Sequence, residues 1–513
     1  MQSLFSDTRI LDKAARERYG LTEELMMENA AAALERAVIQ SLLQRAEPSA
    51  QAGKPMAGEQ RVVVLCGSGN NGADGYALSR RLAGFGASGT MPIVPVIVAV
   101  SEPKSDLCKL QAERAKKCGV ECIPADAVCT ESEKNNAVFE SAAVIVDCIF
   151  GSGFHGDLDE KTARLCVLAN DSSAMRIACD VPTGLREDGT ISSGAFCADC
   201  TVTMGALKCS LYSDAAKDVV GPIICENLGV SRALFEAEPA AAFLLEESDL
   251  VLPHREKNVV NKGSFGHAAV ASGEKIGASC IAGEAALHFG AGLVSLVRLG
   301  TPFEKAELPQ VTPELMTASD FPANTTAVAL GMGLGRADEV VQPYLDWLSA
   351  HKNIPCVIDA DACFCSGLAA FLHARAERTV LTPHPKEFQF LLQNVGLGDY
   401  TIDDCVNRRP ALVEKFCRAF PQAVLLVKGA NPMIGTFDGE RFYLFVNPLG
   451  TNALAKAGSG DVLAGLISAL LAQGRTALDA TIHGSIAHAL ASRKCKSDYS
   501  LTPLALIAAT AEL

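Results

Sequence analysis

Several short stretches of this chain place acids, amides and a lysine beside glycines. Residues 450–474 read GTNALAKAGSGDVLAGLISALLAQG. Gly458, Ser459 and Gly460 precede a long apolar helix predicted to start near Asp461. Consecutive backbone N–H groups at a helix N-terminus attract anions. An acid placed there can accept a proton from a hydroxyl that attacks a phosphoryl group; its simpler role is that of an N-cap. Upstream, LLVKGANPMIG puts Lys428 and Gly429 directly after a strand, and VLTPHPKEF sets His384 between two prolines just past another. CVIDADA ends a strand in two acids, and ALGMGLGRA runs a strand into a glycine-rich turn. Polar groups at the carboxyl ends of several parallel strands converge on one crevice.

A second set lies in the first half. RVVVLCGSGNNGADGYALSRRLAGFGA, residues 61–87, reads as strand, glycine turn and helix, with Gly67, Gly69 and Gly72 in the spacing G-x-G-x-x-G. That order usually holds a dinucleotide pyrophosphate and would suit an NAD-linked dehydrogenase. Such a loop has no need of Asn70, Asn71 and Asp74, and no acid suited to hold a ribose appears before Glu102. VDCIFGSGFHGDL ends a strand in Asp147 and enters another glycine turn, and CDVPTGLREDG ends the next strand in Asp180 and Thr183. Asp147, Asp180 and Thr183 are therefore expected to meet the Asn71 loop at one sheet edge. Helix caps and tight turns are the structural alternatives for these acids and glycines.

The elements that must position these groups alternate. Strands are predicted at 61–66, 93–100, 143–147, 176–179 and 200–204, with helical patterns between them and two N-terminal helices split near Gly20. After an alanine- and glutamate-rich segment at 231–248, read as a linker, strands follow at 267–271, 293–297, 327–330, 356–358, 380–381, 423–427 and 442–445. Such alternation gives parallel sheets covered on both faces. The expected fold class is α/β with two three-layer α/β/α domains, 1–235 and 246–513.

Composition narrows the functions. The chain has 513 residues, 49% of them hydrophobic, enough for more than one core. Lys and Arg total 45 against 59 Asp and Glu, a net charge of -14, which argues against a nucleic-acid binder. The 19 cysteines are scattered singly apart from one C-x-x-C, Cys197 and Cys200, as in a reducing cytoplasm. MQSLFSDTRI lacks a signal-peptide pattern, and the longest apolar run, MPIVPVIVAV, is too short to span a bilayer. A cytoplasmic protein without membrane or nucleic-acid partners is expected.

NKGSFGHAAVASG, GASCIAGEAALHFGAGLVSL, LGMGLG, DADA, TPHPKEF, VKGA and GSGDVLAG occur in that order through residues 250–513. This half resembles the ADP/ATP-dependent NAD(P)H-hydrate dehydratases of the ribokinase-like fold. The resemblance implies that Ala278, Gly333, His384 and Asp461 contact the hydrated nicotinamide nucleotide. It implies that Lys428, Gly429, Ala430, Asn431, Pro432 and Gly460 hold ADP with Mg2+, and that Asp461 is the base. The family usually has Gly where this chain has Lys386, and Gly-Thr where it has Asn431 and Pro432, which removes a hydroxyl from the nucleotide loop.

With GSGNNGADGY, the two aspartate stretches, LMMENAAAAL and GALKCSLY, the first half resembles the Rossmann-like NAD(P)HX epimerase domain over residues 1–230. Ala73 stands where that family usually has Gly. The resemblance implies K+ at Asn71, Asp147 and Thr183, oxygen donors suited to a hard cation. Substrate would touch Asn70, Asn71, Gly72, Ala73 and Asp74, then Gly151, Ser152, Gly153, Phe154, His155, Gly156 and Asp157, and Asp180, the expected acid/base. Joined, the halves imply a homo-oligomeric cofactor-repair enzyme that epimerises R- and S-NAD(P)HX and dehydrates the S form, yielding AMP and phosphate from ADP. A small-molecule kinase fused to an inert binding domain, a dehydrogenase and a non-catalytic nucleotide sensor are the alternatives.

Overall fold

Valine-rich runs become buried strands in both halves of the chain. The computed structural model describes residues 1–46, 58–85, 92–129, 138–304 and 314–513. It divides into Ser3–Ala241 and a second unit, Ala242–Leu513 with Met1–Gln2. No helix among the described residues is long and apolar enough to cross a membrane.

In the first unit seven parallel strands lie in the order Glu121–Pro124, Ile93–Ala99, Gln60–Cys66, Ala142–Cys148, Met175–Cys179, Cys200–Met204, Ile223–Glu226. Alternate residues of Gln60–Cys66 point to opposite faces. Val62 and Val64 join a core with Leu34 and Leu78, while Val63 and Leu65 join another with Leu165 and Phe196. Both faces are thus buried, as a three-layer fold requires. Strand order reverses between Gln60–Cys66 and Ala142–Cys148, and ligands of open α/β sheets bind beyond the strand ends at such a point.

Two N-terminal helices, Arg9–Tyr19 and Glu23–Ala46, are split at Gly20 as expected. The helix after the glycine turn begins at Asn70, so Asn70 to Asp74 form its first turn and not a loop.

In the second unit the strands lie in the order Met316–Ala318, Leu293–Val297, His267–Ala271, Ala327–Leu330, Cys356–Ile358, Thr379–Leu381, Val424–Val427, Met433–Phe437, Phe442–Val446, Ala242–Leu244. All run parallel except Met433–Phe437, which is antiparallel to both neighbours. The reversal falls between His267–Ala271 and Ala327–Leu330. Helix Ser459–Ala472, buried almost all round, shares one core with helix Ile276–His288.

Segment 231–248 is folded and does not act as a spacer. Helix Arg232–Phe235 buries Phe235 in the first unit's core. Strand Ala242–Leu244 pairs in parallel with Phe442–Val446, placing Phe243 opposite Phe445. Alanine and glutamate content suggested a linker, but the few apolar side chains decide.

Candidate active sites

In the first unit a cavity of about 540 Å³ opens at the strand ends where the order reverses. Of the expected substrate residues, Asn70, Asn71, Asp74, Gly151, Ser152, Gly153, Phe154 and Asp180 line it. Gly72 and Ala73 are buried in the helix. A Cβ at Gly72 would fall 2.0 Å from the Gly67 carbonyl oxygen, so this glycine closes the turn. His155 is exposed, the Gly156 carbonyl accepts from Arg186, and Asp157 pairs with Arg186. These five stand outside the cavity lining.

Asp147 is fully buried at the end of its strand. Its Oδ1 accepts from the Ile149 N–H at 3.1 Å and the Thr183 hydroxyl at 2.8 Å, and its Oδ2 accepts from the Thr183 N–H at 2.7 Å. Burial pushes this carboxyl up to about 6 against those donors. A Cβ at Gly151 would lie 3.3 Å from Asp180 Oδ2 and 3.5 Å from Asn71 Oδ1, so both side chains border one backbone position. The Asn71 Nδ2 is buried without a hydrogen-bond partner.

Asp180 has φ of 70°, a left-handed conformation rare outside glycine and typical of sites whose surroundings fix it. Its Oδ2 accepts from the Ser152 N–H at 3.2 Å, its Oδ1 from the Met204 N–H at 3.3 Å, and Lys208 Nζ lies 2.6 Å from Oδ1. Burial alone would raise this carboxyl. The Lys208 ammonium and the N–H donors outweigh it and hold Asp180 below the ordinary range. A carboxylate tied this way resists protonation, which argues against the acid/base role expected of it. Lys208 was not singled out by sequence reasoning, although it stands in GALKCSLY.

In the second unit three strand ends deliver Asp359, His384 and Lys428 to one edge. Lys428 Nζ is 2.7 Å from Asp359 Oδ1, and the Lys428 N–H donates to the Pro383 carbonyl at 2.9 Å. Helix Ser459–Ala472 meets them. Its cap is Gly458, at φ of 90°, which suits glycine. Asp461 is therefore the third helical residue, and the N-cap alternative for it is overturned. A Cβ at Gly460 would lie 3.0 Å from Lys428 Nζ and 3.8 Å from Asp359 Oδ2. Burial and the negative charge of Asp359 push Asp461 up to about 7, with Lys428 opposing.

His384 caps helix Pro385–Asn394. Its Nδ1 accepts from the Lys386 and Glu387 N–H groups at 3.2 and 3.3 Å, and its Nε2 lies 3.1 Å from Glu387 Oε1. Gly429 and Ala430 are exposed, whereas Asn431 is buried and its carbonyl accepts from Arg409 at 3.3 Å. The substituted nucleotide loop thus turns Asn431 inward. A Cβ at Gly333 would lie 3.0 Å from the Ala278 Cβ, so these two expected contacts are neighbours. His488, in a helix that carries no motif, lies beneath the anion loop with Nε2 2.9 Å from the Ser459 carbonyl oxygen. Asp359, Glu387 and His488 were not assigned to the site from sequence.

Two doubly wound units, each with charged groups gathered at the carboxyl ends of its parallel strands, define a two-site nucleotide enzyme. A family model described as NAD(P)H-hydrate dehydratase matches residues 269–512, and one described as YjeF-related protein N-terminus matches residues 23–210. The bifunctional NAD(P)H-hydrate repair enzyme Nnr of Helicobacter pylori is 40% identical over 509 residues, covering 99% of each chain. Its namesake from Thermofilum pendens is 30% identical, covering 95% of this chain and 90% of its own. The Bacillus subtilis ADP/ATP-dependent NAD(P)H-hydrate dehydratase, co-crystallized with ATP/Mg2+, aligns at a TM-score of 0.44 and 22% identity, covering 53% of this chain and 97% of its own. The chain belongs to the family of bifunctional NAD(P)H-hydrate repair enzymes. The dehydrogenase, kinase and sensor alternatives fall with that assignment.

Proposed function

We propose that the first unit interconverts R- and S-NAD(P)HX and that the second dehydrates the S epimer to NAD(P)H, forming AMP and phosphate from ADP. The observation that carries the chemistry is Asp461, a half-buried acid pushed up to about 7 at the head of the Gly-Ser-Gly helix. A base near neutrality suits proton removal at working pH.

Asp461 takes the proton of the C6 hydroxyl as that oxygen attacks the terminal phosphoryl group of ADP, and AMP leaves. Backbone N–H groups of the first helical turn and the Lys428 ammonium stabilise the charge on the transferring group. The ring nitrogen lone pair then expels phosphate, and loss of a C5 proton restores the dihydronicotinamide. Lys428 to Pro432 and Gly460 hold the nucleotide, mainly through exposed backbone at Gly429 and Ala430. Gly333, Ala278 and His384 border the hydrated ring.

Mg2+ takes hard oxygen ligands, often one or two carboxylates with substrate phosphates. Asp359 and Glu387 would hold it with the nucleotide, and it supplies charge neutralisation at the phosphoryl oxygens. In the first unit, Asn71, Asp147 and Thr183 would hold K+. The fit rests on the Asn71 amide: its buried Nδ2 lacks an acceptor, and turning the amide puts an oxygen there instead. Asp147 Oδ2 accepts a single hydrogen bond from the protein, which leaves a lone pair for a cation. K+ supplies charge neutralisation of the buried carboxylate.

Cytoplasmic location is part of the proposal, supported by 19 cysteines that are all unbridged, as is a homo-oligomeric assembly, which light scattering would test. The decisive measurement is absorbance of restored dihydronicotinamide when the chain meets an R,S mixture of hydrated NADH with ADP. Recovery of both epimers is expected; recovery of neither sinks the reading.

A further inference from the structure

Four acids line the cavity of the first unit: Asp12, Glu23, Asp74 and Asp180. Three are committed. Asp180 is tied to Lys208 and two backbone N–H groups. Glu23 is paired with Arg16. Asp74 is close enough to Cys179 for a weak thiol hydrogen bond at 4.0 Å, and burial, with Asp180 and Asp12 nearby, holds it protonated well above the carboxylate range. A group that keeps its proton cannot take one back. The Asp12 carboxylate has no hydrogen bond and no ion pair within 4.0 Å among the described residues, its backbone N–H alone donating to the Thr8 carbonyl, and it borders the same cavity as Asn71 and Asp180.

Resting on the epimerase reading above, we propose that Asp12 is the catalytic acid/base of the first unit. Its position is set by helix Arg9–Tyr19, in which it is the fourth residue. The charged groups facing it are Lys208, Asp180, Arg16 and Glu23, with Asp74 across the cavity. Burial dominates and, with Asp180 and Glu23, pushes Asp12 up to about 6 against Lys208 and Arg16. It can therefore both give and take a proton near neutrality.

The step balances without a co-reactant. Protonated Asp12 gives its proton to the C6 hydroxyl. The C6–O bond breaks as the N1 lone pair becomes the N1=C6 π bond, and water leaves. Water adds to the opposite face, the π pair returns to N1, and the added water passes a proton to the Asp12 carboxylate. One C–O bond is broken and one formed, and nothing is oxidised. The Asp180 carboxylate offsets the positive charge of the planar intermediate.

The test uses the full chain, the pure R hydrate and H₂¹⁸O. Asp12→Asn is expected to slow R-to-S conversion at least about 10²-fold while the KM for the R hydrate stays within about threefold. Oxygen exchange at C6 should slow in step with epimerisation, because both pass through loss of the hydroxyl. Dehydration of the pure S hydrate should match the parent chain. Asp12→Glu should recover part of the rate and Asp12→Gln none; this pair decides the matter if Asp12→Asn melts early. Epimerisation by Asp12→Asn within about threefold of the parent, or Gln equal to Glu, overturns the assignment. A parent chain that dehydrates S but never converts R would overturn the epimerase reading itself, a result distinct from either.

Discussion

In the first unit the charges at the strand ends are closed on one another. Asp147 sits on Thr183, and Asp180 on Lys208. In the second, the Lys428–Asp359 pair stands beside an open helix N-terminus, and Asp461 is left half-exposed. Both units carry their site at the carboxyl ends of parallel strands in a sheet whose order reverses once. The same strand plan thus serves two electrostatic designs. One keeps a fixed set of charges around a substrate that loses and regains the same group. The other holds donors ready for a phosphoryl group that arrives with a second substrate. Function lies in these side chains and not in the fold they share.

The largest expected effect separates the units outright. Asp461→Asn should lower dehydration of the S hydrate at least about 10²-fold, because an amide cannot take the proton. Epimerisation should continue, ADP should still bind, and melting should move by only a few degrees, since Gly458 and not Asp461 caps the helix. A near-normal dehydration rate in this folded variant would remove Asp461 from the chemistry.

Proton affinity sharpens the contrast. A base works when ionised, so kcat/KM for dehydration should climb about tenfold per pH unit below the Asp461 value of about 7 and level off above it. An acid works when protonated, so kcat/KM for epimerisation should decline above the Asp12 value of about 6. Two profiles measured on one preparation should therefore slope in opposite directions between those values, and parallel profiles would erase the distinction.

A smaller effect falls on the cation. Thr183→Val removes the hydroxyl that donates to Asp147 and accepts from the Phe150 N–H. K+ activation of epimerisation should weaken by about tenfold in a KCl titration. Dehydration should be unchanged. An unaltered K+ response would take Thr183 out of the cation site.

Much of this plan is legible in the residue pattern. The strand predicted at 61–66 is Gln60–Cys66, and each motif at a predicted strand end does lie at the sheet edge. What escapes is what depends on distant partners. Asp12 lies in a polar helix whose pattern only announces amphipathicity, and Lys208 reaches Asp180 from just beyond Cys200–Met204, the strand paired with Met175–Cys179. The strand Glu121–Pro124 is largely exposed at an edge and carries no apolar run. Met433–Phe437 departs from the parallel rule that the alternation suggested. Asn431 sits within an expected contact motif but points inward, because a buried arginine holds its carbonyl from behind.

Strand Ala242–Leu244 begins seven residues after the first unit's last helix ends at Phe235, yet it pairs with Phe442–Val446 in the sheet of the second. Without it, Phe442–Val446 would present a row of unsatisfied N–H and C=O groups beside Phe445, a template for sticking to other chains. Two genes made from this one would need their junction ahead of Ala242. A clone starting at Leu250, where the charged residues give way to a new motif, would be expected to aggregate on expression, whatever the integrity of its catalytic residues.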